Sequence, residues 1–417
     1  MPKINHLTAR EILDSRSDPT IEVVLTLDDG SFGVASVPSG AHTGSEEAMV
    51  LRDADPNRYF GKGVLSAVKK VNEDIAKVLL GQELTDQQTL DNTLIKLDNT
   101  PNKSRLGANS ILGVSMAAAK AIAYSKKIPL YRYISNISAN LQPLKIPTPV
   151  FNMINGGKHG AGNLDFQEFH IIPVRSTTYA ATLQTSVEIY QTIKRLLARR
   201  GAIHSVGDEG GFAPNLFTNL DALEILSEAI AECHKKPSVD VELGLDIASN
   251  TFFKDGRYTI KDRSSPMDTP DFIEYLRDLN KQYNLRLLED ALNWEDWKGW
   301  ETLTTDLGSQ LTVVGDDLLL TNKARIVKAI AEKACNGAVI KPIEAGTVSE
   351  TIDILNQVKK AGWKVVITHR SGETNDTFIA DFAVGVGADY AKFGAPSRGE
   401  RVAKYNRFLI IESELGS

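Results

Sequence analysis

The chain has 417 residues, 42% of them hydrophobic and 24% charged, with 31 Gly and 16 Pro, a globular composition that excludes disordered, collagenous and coiled-coil classes. Its net charge of −6 lacks the basic footprint of a nucleic-acid binder. No apolar run reaches the roughly 18 residues that a bilayer span needs, and the start MPKINHLTAR has no signal-peptide core. The expectation is a cytoplasmic protein with a small partner, using neither nucleic acid nor membrane, and its two cysteines, Cys233 and Cys335, are too few for a disulfide framework.

Residues 21–27 and 31–37 are alternating, β-branched runs joined by Asp28-Asp29-Gly30, the signature of a hairpin. Helical periodicity follows over 64–80 and 106–124, so the first part reads as a small α+β domain. A segment holding Pro129, Pro143, Pro147 and Pro149 marks a boundary, and we divide the chain into 1–135 and 136–417. Beyond it, short apolar runs at 169–172, 243–247, 285–288, 311–314, 337–340 and 365–368 alternate with amphipathic helical stretches. Repeated βα units predict a parallel sheet, and about seven of them with no Gly-rich dinucleotide loop favour an eight-fold β/α barrel of TIM type over an open sheet.

The residues that bound those strands carry the chemistry. Glu168 starts one, whereas Asp246, Glu289, Asp316, Lys341 and His369 each close another, and in a parallel barrel such ends meet at one mouth. Asp246, Glu289 and Asp316 are all-oxygen ligands suited to Mg2+ rather than zinc; taken singly, each could simply cap the helix that follows. Lys341 ends an apolar strand, where burial predicts a depressed pKa and a neutral amine able to take a proton. Glu209, set between Gly207 and Gly210-Gly211, together with Glu168 offers an acid to face that base, the plainer alternatives being a turn and an exposed strand end. His369-Arg370-Ser371 and Lys392, at the next strand end, suit a phosphate-like anion, because Arg binds two oxygens at once. His6, His170, His204 and His234 show no ligand spacing and read as packing or surface residues.

Together these motifs resemble the enolase family. The segments that carry the resemblance are Val37-Pro38-Ser39-Gly40, Asn155-Gly156-Gly157-Lys158-His159, Gln167-Glu168-Phe169, residues 207–215, Gly315-Asp316-Asp317-Leu318, residues 369–374 and Lys404-Tyr405-Asn406. The resemblance implies an N-terminal capping domain on an enolase-type barrel, Mg2+, and reversible dehydration of 2-phosphoglycerate, or a close phospho- or phosphono-3-hydroxy acid, to the enolpyruvate product. It implies Asp246, Glu289 and Asp316 as ligands of the first Mg2+ and Lys341 as the base. Glu209, helped by Glu168, would be the acid. His159, Gln167, His369, Arg370, Ser371 and Lys392 would bind the substrate, and the assembly would be a homodimer or larger homo-oligomer.

Departures cluster near the chemistry. His42 stands where the family has the Ser that ligates a second Mg2+; imidazole suits a hard cation poorly, although it could instead contact an anionic group of the substrate. After the base, Lys-X-Asn-Gln-X-Gly becomes Lys341-Pro342-Ile343-Glu344-Ala345-Gly346. Two alternatives therefore stand beside ordinary dehydration: a specialised paralogue of phosphonate biosynthesis making carboxyphosphonoenolpyruvate, and an enolase-fold binding or scaffold protein.

Overall fold

A computed structural model describes residues 2–40, 46–160, 162, 164–236 and 240–416, with the side chain of His159 also excepted. The N-terminal part is a three-stranded antiparallel sheet, β1 (Ile4–Leu13), β2 (Pro19–Leu27) and β3 (Phe32–Ser36), in the order β1-β2-β3. Helix Ala108–Ser125 covers it. That approach needs small residues: a side chain on Gly33 would run into the backbone carbonyl of Ala117, and one on Gly113 into Val23. The hairpin and both helical stretches lie where the sequence predicts them. β1 and the helix Gln87–Asp98 are additions; β1 is an edge strand exposed over part of its length, so its alternation is diluted by polar residues.

Eight strands close the barrel that follows: β4 (Thr148–Asn155), β5 (Glu168–Pro173), β6 (Val241–Asp246), β9 (Leu285–Glu289), β10 (Thr312–Gly315), β11 (Gly337–Ile340), β12 (Lys364–Thr368) and β13 (Tyr390–Lys392). A short hairpin of β7 (Phe253–Lys254) and β8 (Arg257–Tyr258) stands apart as its own sheet. The parallel expectation needs correction at one strand, because β5 runs antiparallel to both neighbours, β4 and β6. β4 was not anticipated. It follows a proline-rich stretch and is buried at seven of its eight positions, so it shows no alternation.

The barrel interior explains how the mouth is built. Val150, Ile172, Leu287, Val314, Val339, Val366 and Tyr390 form a separate buried cluster, one from each of seven strands, as layered barrel cores require. Side chains on a strand alternate, so the inward residue two places nearer the mouth shares that orientation. From this plug the rule leads to Asn152, His170, Glu289, Asp316, Lys341, Thr368 and Lys392. One apolar layer thus supports one polar layer. The N-terminal part meets this face where Ser39 and Gly372 exchange backbone hydrogen bonds of 2.7 and 2.9 Å, with ion pairs Lys103–Glu350 and Lys120–Asp376 to the side.

Candidate active site

A cavity of about 450 Å3 opens at the mouth. Register concentrates acid on one side of it: Glu168 pairs with Asp246, and Asp246 with Glu289, across adjacent strands, and directly opposed side chains lie about 5 Å apart. Lys392 sits among them, its Nζ 2.8 and 2.9 Å from the two oxygens of Glu289, 3.3 Å from Glu168 and 3.5 Å from Asp246. Gln167 donates to Asp246 at 3.1 Å. Glu289 is fully buried and lies behind Lys392 rather than on the cavity wall.

Lys341 is held across from them, its Nζ 2.6 Å from both oxygens of Asp316 and 3.3 Å from Glu344. This corrects the expectation of a depressed pKa. Burial does pull the lysine down, but the carboxylates of Asp316 and Glu344 outweigh it and hold Lys341 above the ordinary lysine value. As it stands, the residue is an ammonium. Lys392 is likewise raised, burial being overcome by Glu168, Glu289 and Asp246.

On the acid side, Asn152 donates to Glu209 at 3.1 Å, and Glu209 is 2% exposed. His369 Nε2 lies 3.5 Å from Glu209, while its Nδ1 meets the Arg401 guanidinium at 2.7 Å. Arg can only donate, so Nδ1 accepts and the ring hydrogen sits on Nε2, facing Glu209. Burial lowers the His369 pKa, which agrees with a neutral ring. Ser371 lines the cavity, and its carbonyl accepts from Arg401 at 2.6 Å. Arg370 also lines it, with its guanidinium on Glu344 and 3.5 Å from Glu47.

His42 lies outside the described residues, as does the side chain of His159. Sequence reasoning missed four contributors. His170, read as a packing histidine, is indeed buried but bonds Glu168 at 2.8 Å, and its position two residues along the same strand was the available signal. Asn152 stood in an unrecognised strand, and Arg401 in the C-terminal helix (Gly399–Gly416), just ahead of the Lys404-Tyr405-Asn406 motif but outside it. Asp290 accepts from the backbone amides of Asp316 and Asp317, each at 2.9 Å, and so fixes the turn that presents Asp316.

Two family models match this architecture. Residues 4–134 fit the one described as "Enolase, N-terminal domain" and residues 143–417 the one described as "Enolase, C-terminal TIM barrel domain". The chain belongs to the enolase family. At the coarse level this makes it a hydro-lyase, and the enolase-type barrel is the observed one.

The donor set of this enolase-family site also fits a divalent cation. Asp290, Asp316 and Asp317 bring carboxylate oxygens within 4.8 Å of one another, and Asp316 and Asp246 line the same cavity, Asp316 paired with Lys341 and Asp246 and Glu289 with Lys392. Carboxylates outnumber cations here. Burial, reinforced by neighbouring acids, pushes Asp246 up to about 7 and raises Glu289, Asp290 and Asp317 as well. A hard cation with oxygen ligands relieves that repulsion. Since both Asp290 oxygens already accept amides, its part is to orient Asp316.

Among the described residues no helix is long and apolar enough to cross a membrane.

Proposed function

We propose that this chain catalyses the reversible, Mg2+-dependent removal of water from 2-phosphoglycerate, or from a close phospho- or phosphono-3-hydroxy acid, to give the enolpyruvate product. One observation carries the reading. β11, which Lys341 directly follows, and β5, which begins at Glu168, stand four places apart in the ring of eight strands, so Lys341 and the Glu168 that supports Glu209 face each other across the cavity. Elimination of water needs that division: one group takes the proton from the carbon next to the carboxylate, and another protonates the hydroxyl leaving the adjacent carbon.

Lys341 Nζ accepts the carbon-bound proton and the C–H electron pair passes into the substrate carboxylate as an enolate; the pair then returns to form the new C=C bond as the hydroxyl departs as water with a proton from Glu209. Asn152 and His369 hold the Glu209 carboxyl in place, and Glu168, fixed by His170 and Lys392, maintains the charge beside it. Asp246, Glu289 and Asp316 would hold Mg2+, which when bound supplies fixed positive charge against the carboxylate that gains charge in the enolate. An Asp316 engaged in that way relaxes its hold on Lys341, and burial then favours the neutral amine that the proton transfer requires. Arg370 and Lys392 supply cations for the anionic groups of the substrate.

The test is direct. Incubated with 2-phosphoglycerate and MgCl2, the protein should generate the ultraviolet absorbance of an enol at a turnover within the usual ~1 to 10³ s⁻¹ range. The absence of any such signal, with 2-phosphoglycerate and with phosphono-3-hydroxy acids alike, overturns the proposal.

A further inference from the structure

Glu344 occupies an unusual place for an acid. It is 4% exposed and stands between the two cations that an anionic substrate group would seek, with one oxygen on the Arg370 guanidinium and 3.3 Å from Lys341 Nζ. Its other oxygen is locked. The Lys341 amide donates to Thr321 Oγ1 at 3.0 Å, so the Thr321 hydroxyl hydrogen is directed to Glu344 Oε2, 2.7 Å away. Glu47 adds a second carboxylate 3.5 Å from Arg370, and the same cavity is bounded by both acids and by Arg370.

An amide here would behave differently. With its carbonyl kept on the Thr321 hydroxyl, a glutamine would aim its NH2 at Arg370 and Lys341, leaving both cations to an incoming anion. The carboxylate instead holds one negative charge against them. We infer that Glu344 is a specificity-determining residue, which biases the Arg370 position against a dianionic phosphoryl group and towards a group of single charge, such as a phosphinate or phosphonate monoester or a second carboxylate. The inference rests on the elimination reading above and narrows its substrate class.

The experiment compares the protein with its E344Q and E344A variants in MgCl2 at pH 8. Calorimetric titration with inorganic phosphate, dianionic at that pH, and with hypophosphite, a monoanion, reads the subsite without turnover. Both variants should bind phosphate about tenfold more tightly than the unaltered protein, with hypophosphite shifted much less. KM for 2-phosphoglycerate should fall with E344Q, tighter binding that general loosening of the fold would not produce. In the unaltered protein, hypophosphite should bind at least as well as phosphate, a measurement that stands even when neither variant folds. Unchanged or weaker phosphate binding in the folded variants, or a clear preference for phosphate in the unaltered protein, overturns the inference. Were 2-phosphoglycerate inert throughout, the titrations would still decide the role of Glu344, whereas turnover with equal phosphate affinities would sink this inference and leave the elimination reading standing.

Discussion

Arg401 donates to His369 Nδ1 at 2.7 Å and so fixes the imidazole hydrogen on the nitrogen that faces Glu209. The same guanidinium reaches the carbonyls of Arg370, Asp208 and Ser371 at 2.8, 3.1 and 2.6 Å. One buried side chain therefore ties the acid-bearing loop to the loop expected to bind substrate.

Arg401→Lys keeps the charge but loses the fork, leaving buried carbonyls without donors at about 1–3 kcal/mol each. We expect a stability loss on the order of 2 kcal/mol in urea unfolding, and a kcat for dehydration that falls roughly ten- to a hundredfold with KM changing less. A kcat equal to that of the unaltered protein would show that the tautomer of His369 does not matter.

Lys341→Ala removes the group assigned as base. Its loss should lower kcat by roughly 10²–10⁴-fold, while circular dichroism shows the fold retained. Exchange of the carbon-bound hydrogen with deuterated solvent, followed by NMR, should disappear in parallel. Persistent exchange would place the base elsewhere.

Mg2+ should stabilise the fold, because it binds carboxylates that are crowded without it. At a concentration near one hundred times its dissociation constant the gain is about 2.7 kcal/mol, read as a rise in Tm that chelation reverses. Asp246→Asn should shrink that rise. A Tm indifferent to Mg2+ in the unaltered protein would remove the cation from this site.

Asp91 gives a pH dependence away from the cavity. It is fully buried on the helix Gln87–Asp98, facing Ser349, whose amide donates to it at 2.9 Å, and burial lifts its pKa from 3.8 to about 6. The native state thus holds this proton more tightly than the unfolded chain. The stability it contributes is full below pH 4 and is lost as pH rises through 6, by at most about 3 kcal/mol. Subtracting the urea-unfolding profile of Asp91→Asn from that of the unaltered protein should isolate this slope between pH 4 and 6. A flat difference would mean that Asp91 remains ionised in the fold.

How much was legible in the sequence follows the range of the interactions. Asp316 and Lys341 could be picked out because each directly follows an apolar strand, a local pattern, and the barrel itself followed from repetition of such patterns. Glu168 was located at a strand start, but the reversal of β5 that brings it to the mouth is a pairing property with no mark in the strand's own residues. Glu344 stood out as a departure, whereas its partner Arg370 lies 26 residues away at another strand end. The ionisation of Lys341 was misjudged because burial was weighed without Asp316, a neighbour that only closure of the ring supplies.

The backward strand also limits how such an enzyme can be rebuilt. Turned to run with its neighbours, β5 would carry Glu168 to the far end of its six residues, roughly 17 Å towards the floor, and strand its carboxylate away from the mouth. A designer who assembles this barrel from eight copies of one repeating unit would obtain a sound container with a base at its rim and no strand-borne carboxylate facing it.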